Sequence, residues 1–511
     1  MNVITILCDT LRRDHCTPYN RGKPLDQCWS AQQPDWTVRT PNIDRLAQRG
    51  TTFNQAWCGS TPCMPARRDI YTGRYEFLER GWGPLEDDDK DLPRQLSGMP
   101  NRSILKMVEE GRHISGLVTD HFHLWEQGSG NYHMGYTTHE FIRGLESDAW
   151  RADPVPLDCP DGDRMEKVER HWRNAAIERH TIRDWSAFRV FETASGWLKR
   201  NAAHKDFYLH IDCFQPHEPY DPPEEYLREF WPEGYSVSFP WSGGTPYNKW
   251  QDAGYSKDQL RFAQARYAAN VRLVDDALGQ LLDQLDALNL WDDTLVVFTT
   301  DHGTYNGDHG RLGKMQTHEH DAVGHIPFIM CHPVHGHGER RDHLVQLVDL
   351  YPTTLAATGC EVPEELTQSL HGINLLPVLE DAQSTTREYA VCGQFGKSVT
   401  LTDGEWILHQ SPVDFTRKGN QPLYWYGLHT SRFLPDYTLG PSDGTRRACH
   451  CESWPTPTWL SNKLEDPNEL TNLAENTPEK LASMQAALAQ KLDVLGAPQE
   501  QHERLGLQAN R

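Results

Sequence analysis

The segment Cys63-Met64-Pro65-Ala66-Arg67 has the residue types of a nucleophilic site at the start of a helix. Proline is tolerated in the first turn of a helix, because the N–H that it lacks would have no partner there. The free backbone N–H groups of that turn favour an anion beside Cys63. Arg67 adds a positive charge one turn later. The pattern predicts a cysteine-derived nucleophile facing a sulfate or phosphate group, although a buried structural thiol would be compatible with the same residues.

Short apolar runs that end in chemically active side chains predict the strands of a parallel sheet. The runs cover residues 3–8, 207–214 and 294–300. Ligands of open α/β sheets bind beyond the carboxyl ends of the strands, so we expect the side chains that follow these runs to meet at one rim. They are Asp9, His217, Asp301 and His302.

The rest of the chain predicts an α/β fold in two domains. Ser256 begins a capping box and a long amphipathic helix that would cover the sheet. Beyond residue 380, short runs separated by turn residues predict an antiparallel sheet, and Thr477-Pro478 signals a last helix. We expect a mostly parallel central sheet flanked by helices over residues 1–380. A smaller C-terminal α+β domain, with an antiparallel sheet and a terminal helix, would occupy residues 381–511.

The composition narrows the class of partner. The 511 residues include 50 basic and 72 acidic side chains, which gives a net charge of −22. Such a surface repels nucleic acid and anionic membranes. No apolar run reaches the roughly 20 residues of a membrane span, and no charged-then-apolar leader is seen. We therefore expect a cytoplasmic protein with neither nucleic acid nor membrane as partner, either a monomer or a homo-oligomer.

Taken in order along the chain, these motifs resemble the type I, formylglycine-dependent sulfatases of the alkaline phosphatase superfamily. The matching segments are Asp9 with its strand and residues 63–74, 216–220, 300–303, 307–310, 313–314, 347–352 and 466–474. In that family the cysteine is oxidised to formylglycine, whose hydrate attacks the ester. The resemblance implies a sulfuric ester hydrolase that is matured by a formylglycine-generating enzyme. The acidic net charge favours a small sulfated sugar or aryl ester as substrate.

The resemblance also assigns roles to individual residues. The implied ligands of one divalent metal are Asp9, Cys63, Asp301 and His302. Calcium is expected first, ahead of manganese or zinc. The implied catalytic residues are Cys63, Arg67, His123, His217 and Lys314, and those that bind the substrate are His121, His217 and Lys314. His217 and Lys314 would assist the leaving alcohol, while His123 would act as the base that releases sulfate.

Thr10, His302 and His121 depart from the commonest sulfatase pattern, which has aspartate, asparagine and lysine there. The first two resemble phosphonate monoester and phosphodiester hydrolases, so such an activity with the same nucleophile is the first alternative. An ordinary loop with solvated imidazoles is the other interpretation of residues 120–123.

Two further alternatives concern the nucleophile and the metal. A Cys63 that is never oxidised would make the chain a non-catalytic anion-binding relative. A two-metal phosphatase is less favoured, because no serine or threonine nucleophile is indicated, although His318 and His320 could belong to a second metal site.

Overall fold

A computed structural model of the chain describes residues 1–28, 33–86, 88–98, 103–125, 130–154, 165–204, 206–236, 248–314, 318–413 and 456–508. Its strands are β1 Asn2–Cys8, β2 Thr51–Trp57, β3 Ser115–Thr119, β4 Thr138–Phe141, β5 Tyr208–Cys213, β6 Asn248–Lys249, β7 Thr294–Thr299, β8 Tyr305–Asn306, β9 Arg311–Gly313, β10 Phe328–Cys331, β11 Glu339–Gln346, β12 Ala390–Gly393, β13 Val399–Thr402, β14 Trp406–Gln410 and β15 Trp459–Asn462. Its α-helices are α1 Thr17–Asn20, α2 Leu25–Cys28, α3 Pro41–Arg49, α4 Cys63–Thr72, α5 Leu92–Ser97, α6 Ile104–Glu109, α7 Met165–Glu178, α8 Ser186–Asn201, α9 Glu224–Phe230, α10 Lys257–Ala287, α11 Asp321–Gly324, α12 Leu350–Thr358, α13 Leu376–Glu380, α14 Pro478–Val494 and α15 Gln499–Leu505.

The main sheet has the strand order β11-β2-β10-β7-β1-β5-β3-β4. β1 lies inside it and pairs in parallel with β5 on one side and β7 on the other. β10 runs antiparallel to both of its neighbours, β2 and β7. The predicted mostly parallel sheet is therefore confirmed. The carboxyl ends of β1, β3, β5 and β7 share one rim, because these strands are parallel neighbours.

Both faces of the central part of the sheet are covered, which explains why β1, β5 and β7 are buried along their whole length. Every residue of β1 is buried, and alternate side chains enter two different cores. Ile4 and Ile6 pack in the core that contains α10, whereas Val3 and Leu7 pack in the core of α4 and α12. The capping box at Ser256 is present, and α10 packs against α3, α8 and α9.

A smaller sheet follows toward the C-terminus, as predicted. Its strands β12, β13, β14 and β15 are antiparallel in that order, and α14 packs against β14. α14 begins at Pro478, directly after Thr477. The proposed domain boundary at residue 380 stays a prediction. None of the described helices combines the length and the apolar character that a bilayer span requires.

Candidate active site

Helix α4 begins at Cys63 and has Pro65 in its first turn, as its sequence predicted. All of its residues are buried, so this helix lies inside the molecule rather than on its surface. Arg67 Nη1 donates a hydrogen bond of 3.0 Å to the carbonyl oxygen of Cys63, one turn back. The arginine thereby fixes the backbone of the residue expected to supply the nucleophile.

Side chains from two other segments meet at Cys63. Asp9 follows β1, and Asp301 and His302 follow β7, so neighbouring parallel strands carry them to one rim. Candidate ligand atoms of these three residues and of Cys63 all lie within 4.8 Å of one another, and all four residues are buried. His302 Nδ1 contacts the carbonyl oxygen of Gly303 at 2.8 Å, which turns Nε2 toward Cys63 Sγ at 3.5 Å.

Arg67 ties this cluster together through three carboxylates. Its guanidinium lies 3.0 Å from Asp9 Oδ2 and donates a hydrogen bond of 2.8 Å to Asp301 Oδ2. Asp212, near the end of β5, accepts two more, from Nε at 2.8 Å and from Nη2 at 2.6 Å. Fork-to-fork pairs of this kind are strong and directional.

Asp212 was not predicted from the sequence as a site residue. The sequence did contain a signal for it, because Asp212 is an acidic residue inside the apolar run 207–214. A carboxylate in a buried strand needs a cation as partner.

Charge interactions decide the protonation of the buried groups. Burial alone would raise the pKa of Asp9, but the positive charges of Arg67 and of neighbouring groups hold it well below its ordinary value. Burial, followed by the charge of Asp9, raises the pKa of the Cys63 thiol well above its usual range. Asp9 is therefore an anion at neutral pH, whereas the unmodified thiol is protonated.

Lys314 and Thr10 complete the side of the cluster that faces Asp9. Lys314 Nζ donates to Thr10 Oγ1 at 3.0 Å and lies 3.4 Å from Cys63 Sγ. Burial would lower the pKa of this amine, but the charges of neighbouring groups, the carboxylate of Asp9 among them, raise it instead. Thr10 has φ of 63°, an unusual backbone for a β-branched residue, and its N–H donates to Asp301 Oδ1 at 2.9 Å. The Thr10 hydroxyl, hydrogen-bonded to the Lys314 ammonium group, thus occupies the position where many sulfatases have a second carboxylate.

Three histidines pack around Phe214 at the same rim. The Phe214 ring stacks on His217 with centroids 4.2 Å apart and meets the edges of His121 and His123 at 4.6 and 5.9 Å. Both of these histidines are fully buried, so the alternative of solvated imidazoles at residues 120–123 is wrong. His121 Nε2 lies 3.3 Å from Asp9 Oδ2 and therefore borders the metal-type cluster. His123 Nε2 faces Glu146 instead, at 3.7 Å.

Two of these histidines have nitrogens suited to a bound ester. His121 Nδ1 has no hydrogen-bond partner among the described residues, and the same holds for His217 Nε2. Burial, together with the charge of Arg67, lowers the pKa of His121 well below its ordinary value, so this ring is neutral. His217 Nδ1 donates to the carbonyl oxygen of Glu218 at 2.6 Å, which orients its ring.

The cluster fits a divalent metal ion. The ligand atoms of Asp9, Asp301 and His302 are buried and lie close enough together to share one ion. Three carboxylates face only two permanent cations, Arg67 and Lys314, so negative charge remains for a metal to neutralise. Carboxylate oxygens and an imidazole nitrogen are ordinary ligands of such ions. His320 lies elsewhere, with His409 and Glu469.

Comparisons with known proteins agree with this geometry. Residues 1–360 match the family model described as Sulfatase. Arylsulfatase K of Xenopus laevis is 25% identical over 481 residues, which cover 89% of this chain and 78% of the relative. A multifunctional alkaline phosphatase superfamily protein, PehA of Trinickia caryophylli, is 25% identical over 426 residues, 75% of this chain and 77% of that protein.

A solved structure shows the same fold. The phosphonate monoester hydrolase of Agrobacterium radiobacter superposes with a TM-score of 0.64 at 19% identity, over 97% of this chain and 95% of that chain. The family model covers well over half of the present sequence, and the resemblance stated from its motifs is confirmed. The chain belongs to the sulfatase family of the alkaline phosphatase superfamily and is an enzyme of that family.

Proposed function

We propose that the enzyme hydrolyses the sulfate monoester of a sugar or of an aryl or alkyl alcohol, with a formylglycine made from Cys63 by a formylglycine-generating enzyme. The observation that carries the proposal is the convergence of Asp9, Asp301, His302 and Lys314 on Cys63 at the first turn of a buried helix. An activated nucleophile needs charge and donors arranged around it in this manner. The relatives named arylsulfatase K support the choice of sulfate.

The modified residue and the metal would supply the reactive groups. The hydrated aldehyde provides a nucleophilic oxygen, and a divalent cation held by Asp9, Asp301 and His302 provides Lewis acidity. We take calcium first, with manganese and zinc as alternatives. Arg67 keeps the backbone of residue 63 and the two carboxylates in one arrangement, because it binds all three.

The remaining side chains handle charge and protons. Lys314 places a buried positive charge beside position 63, where a sulfuryl oxygen would lie. His217 Nε2, which has no hydrogen-bond partner in the described residues, is available to protonate the leaving alcohol. His121 remains neutral and can donate a hydrogen bond to the ester. We assign His123 as the base that assists sulfate release, since its ring centroid is 5.3 Å from that of His121.

The charge of the site favours a monoanionic ester. The four carboxylates of Asp9, Asp212, Asp301 and Glu218 oppose a divalent cation and the positive charges of Arg67, Lys314 and a protonated His217, so one positive charge is left over. A sulfate monoester carries a single negative charge, whereas a phosphate monoester carries two near neutral pH. Complementary charge selects the first of these ligands.

A second candidate is hydrolysis of phosphonate monoesters or phosphodiesters with the same nucleophile. Those esters also carry one negative charge, and Thr10 stands where many sulfatases have a second aspartate. The hydroxyl of Thr10 accepts a hydrogen bond from Lys314 and contacts Asp9 at 2.5 Å, which leaves this side of the site less acidic than in those sulfatases.

Kinetics on matched substrates test both candidates. The enzyme, produced together with a formylglycine-generating enzyme, should cleave 4-nitrophenyl sulfate with a higher kcat/KM than 4-nitrophenyl phenylphosphonate. The same nitrophenol leaves in both reactions, so the ratio reports the choice between sulfur and phosphorus. A ratio in favour of the phosphonate would replace the first proposal with the second. The Cys63→Ala variant should be inactive on both, and activity in that variant would reject both proposals.

A further inference from the structure

A second buried cluster of metal-type ligands lies apart from the Cys63 site. Its members are His320, His409 and Glu469, with candidate ligand atoms within 4.8 Å of one another. His320 directly precedes α11, His409 lies on β14 of the smaller sheet, and Glu469 lies beyond β15. Three remote segments thus deliver two imidazoles and a carboxylate to one point of the interior.

The spacing within this cluster is that of a coordination shell. His409 Nε2 lies 2.7 Å and His320 Nδ1 lies 3.2 Å from Glu469 Oε2. Ligand atoms bound tetrahedrally to zinc at about 2.1 Å would stand about 3.4 Å apart, so only small movements separate the two arrangements.

Further contacts orient each ligand. Glu469 Oε1 accepts a hydrogen bond of 2.7 Å from the N–H of Asp321, and His409 Nδ1 contacts Thr400 Oγ1 at 2.7 Å. Partners of this kind typically set the tautomer and direction of metal ligands.

A fourth buried histidine packs against the cluster. The His318 ring stacks on His409 with centroids 4.9 Å apart, and its centroid lies 5.6 Å from that of His320. It contacts these rings but is not one of the proposed ligands.

We propose that His320, His409 and Glu469 bind a zinc ion that joins the segment following Lys314 to the C-terminal sheet. Two imidazoles and one carboxylate form a known zinc ligand set that leaves the fourth position to a water molecule, and all three side chains are buried. The ion would hold the chain just downstream of Lys314 against β14. It is separate from the metal of the Cys63 site, and no ligand is shared between the two sites.

Zinc binding by variants of the full-length enzyme tests the proposal. Chelator-treated protein is titrated with Zn²⁺ alone, and bound zinc is counted by elemental analysis after desalting. Relative to wild type, H409N and E469Q should each lose one zinc equivalent. H309N is the matched control, because His309 stacks on His320 at 4.1 Å but is not among the proposed ligands. Wild-type zinc content in H409N and E469Q, or the same loss in H309N, would overturn the proposal.

A spectroscopic measurement covers the case in which those variants do not fold. Co²⁺ replaces Zn²⁺ in the H302A variant, whose catalytic cluster has lost its imidazole. The visible bands of a tetrahedral nitrogen and oxygen site should still appear and should disappear when one equivalent of Zn²⁺ is added. Absence of these bands in folded H302A protein would mean that the two histidines and the glutamate form a hydrogen-bonded network only, and would reject the zinc site. Neither result depends on sulfatase activity, so this proposal and the proposed function fail separately.

Discussion

Asp212 offers a demanding test of the buried charge network, because it touches Arg67 but not Cys63. Its carboxylate accepts two hydrogen bonds from the Arg67 guanidinium, at 2.6 and 2.8 Å, and both side chains are almost completely buried. The substitution Asp212→Asn keeps the size of the side chain but removes its charge. It also turns an N–H₂ group toward the arginine donors.

The expected cost follows from the burial of this pair. Breaking a buried ion pair from one side typically costs about 3–5 kcal/mol, because the remaining charge loses its partner. Asp9 and Asp301 still face Arg67, so we expect the lower end, about 3 kcal/mol of unfolding free energy. The arginine also anchors the carbonyl of Cys63. A shift of about 1 Å at a reacting group costs roughly 100-fold in rate, so kcat should fall between about 10-fold and 100-fold.

Urea unfolding and initial rates on 4-nitrophenyl sulfate measure the two effects. Asp148→Asn is the matched control, because Asp148 makes a similar two-point pair with Arg143, whose side chain is 35% exposed. Solvent reaches Arg143 and can replace part of its lost interaction, so Asp148→Asn should destabilise the protein less than Asp212→Asn does. The reasoning is refuted if Asp212→Asn destabilises the protein no more than Asp148→Asn does.

Three further predictions concern charge, pH and metal. Lys314→Met should lower kcat by about 10²-fold to 10³-fold, because it removes a preorganised positive charge beside position 63. A decrease of less than about threefold in the steady-state rate would contradict this role of Lys314. Burial raises the pKa of Asp120 to about 7, above its unfolded value of 3.8, so the folded state holds this proton more tightly and loses stability as the pH rises from about 4 to about 7. The free energy of unfolding of Asp120→Asn should therefore exceed that of wild type by up to about 4 kcal/mol at pH 8 and by almost nothing at pH 4. Urea unfolding that shows the same difference at both pH values would contradict this prediction. Removal of the metal by a chelator should abolish turnover, and Ca²⁺, Mn²⁺ or Zn²⁺ added separately should restore it to different extents. Full activity in protein that elemental analysis shows to be metal-free would exclude a catalytic metal at Asp9, Asp301 and His302.

The local patterns of the sequence were sufficient for the elements that carry the site. Apolar runs with active residues at their ends located β1, β5 and β7, and Pro65 located the start of α4, because periodicity and first-turn chemistry act over a few neighbouring residues. The capping box at Ser256 located the start of α10 for the same reason.

Features that depend on remote partners were harder to predict. The direction of β10 is set by its pairing with β2 and β7, which its own residues do not encode. Asp212 lies inside an apolar run, and its role depends on its contact with Arg67, which α4 contributes from a distant part of the sequence. The burial of His121 results from packing against Phe214, far along the chain.

The cluster of His320, His409 and Glu469 was also hard to predict, because its members are distant from one another in the sequence. From the sequence, His318 and His320 could belong to a second metal site of a less favoured alternative, but the partners of His320 come from β14 and from beyond β15. No local spacing connects these segments.

The central claim is that formylglycine at position 63 is the nucleophile, and one measurement tests it most directly. Preparations made with graded amounts of formylglycine-generating enzyme are divided for two assays. Mass spectrometry of the peptide that contains Cys63 gives the converted fraction, because formylglycine is about 18 Da lighter than cysteine. The turnover rate on 4-nitrophenyl sulfate is measured on the same samples. The rate per chain should rise in proportion to the converted fraction and extrapolate to zero. Full activity in a preparation that contains only unmodified Cys63 would contradict the account.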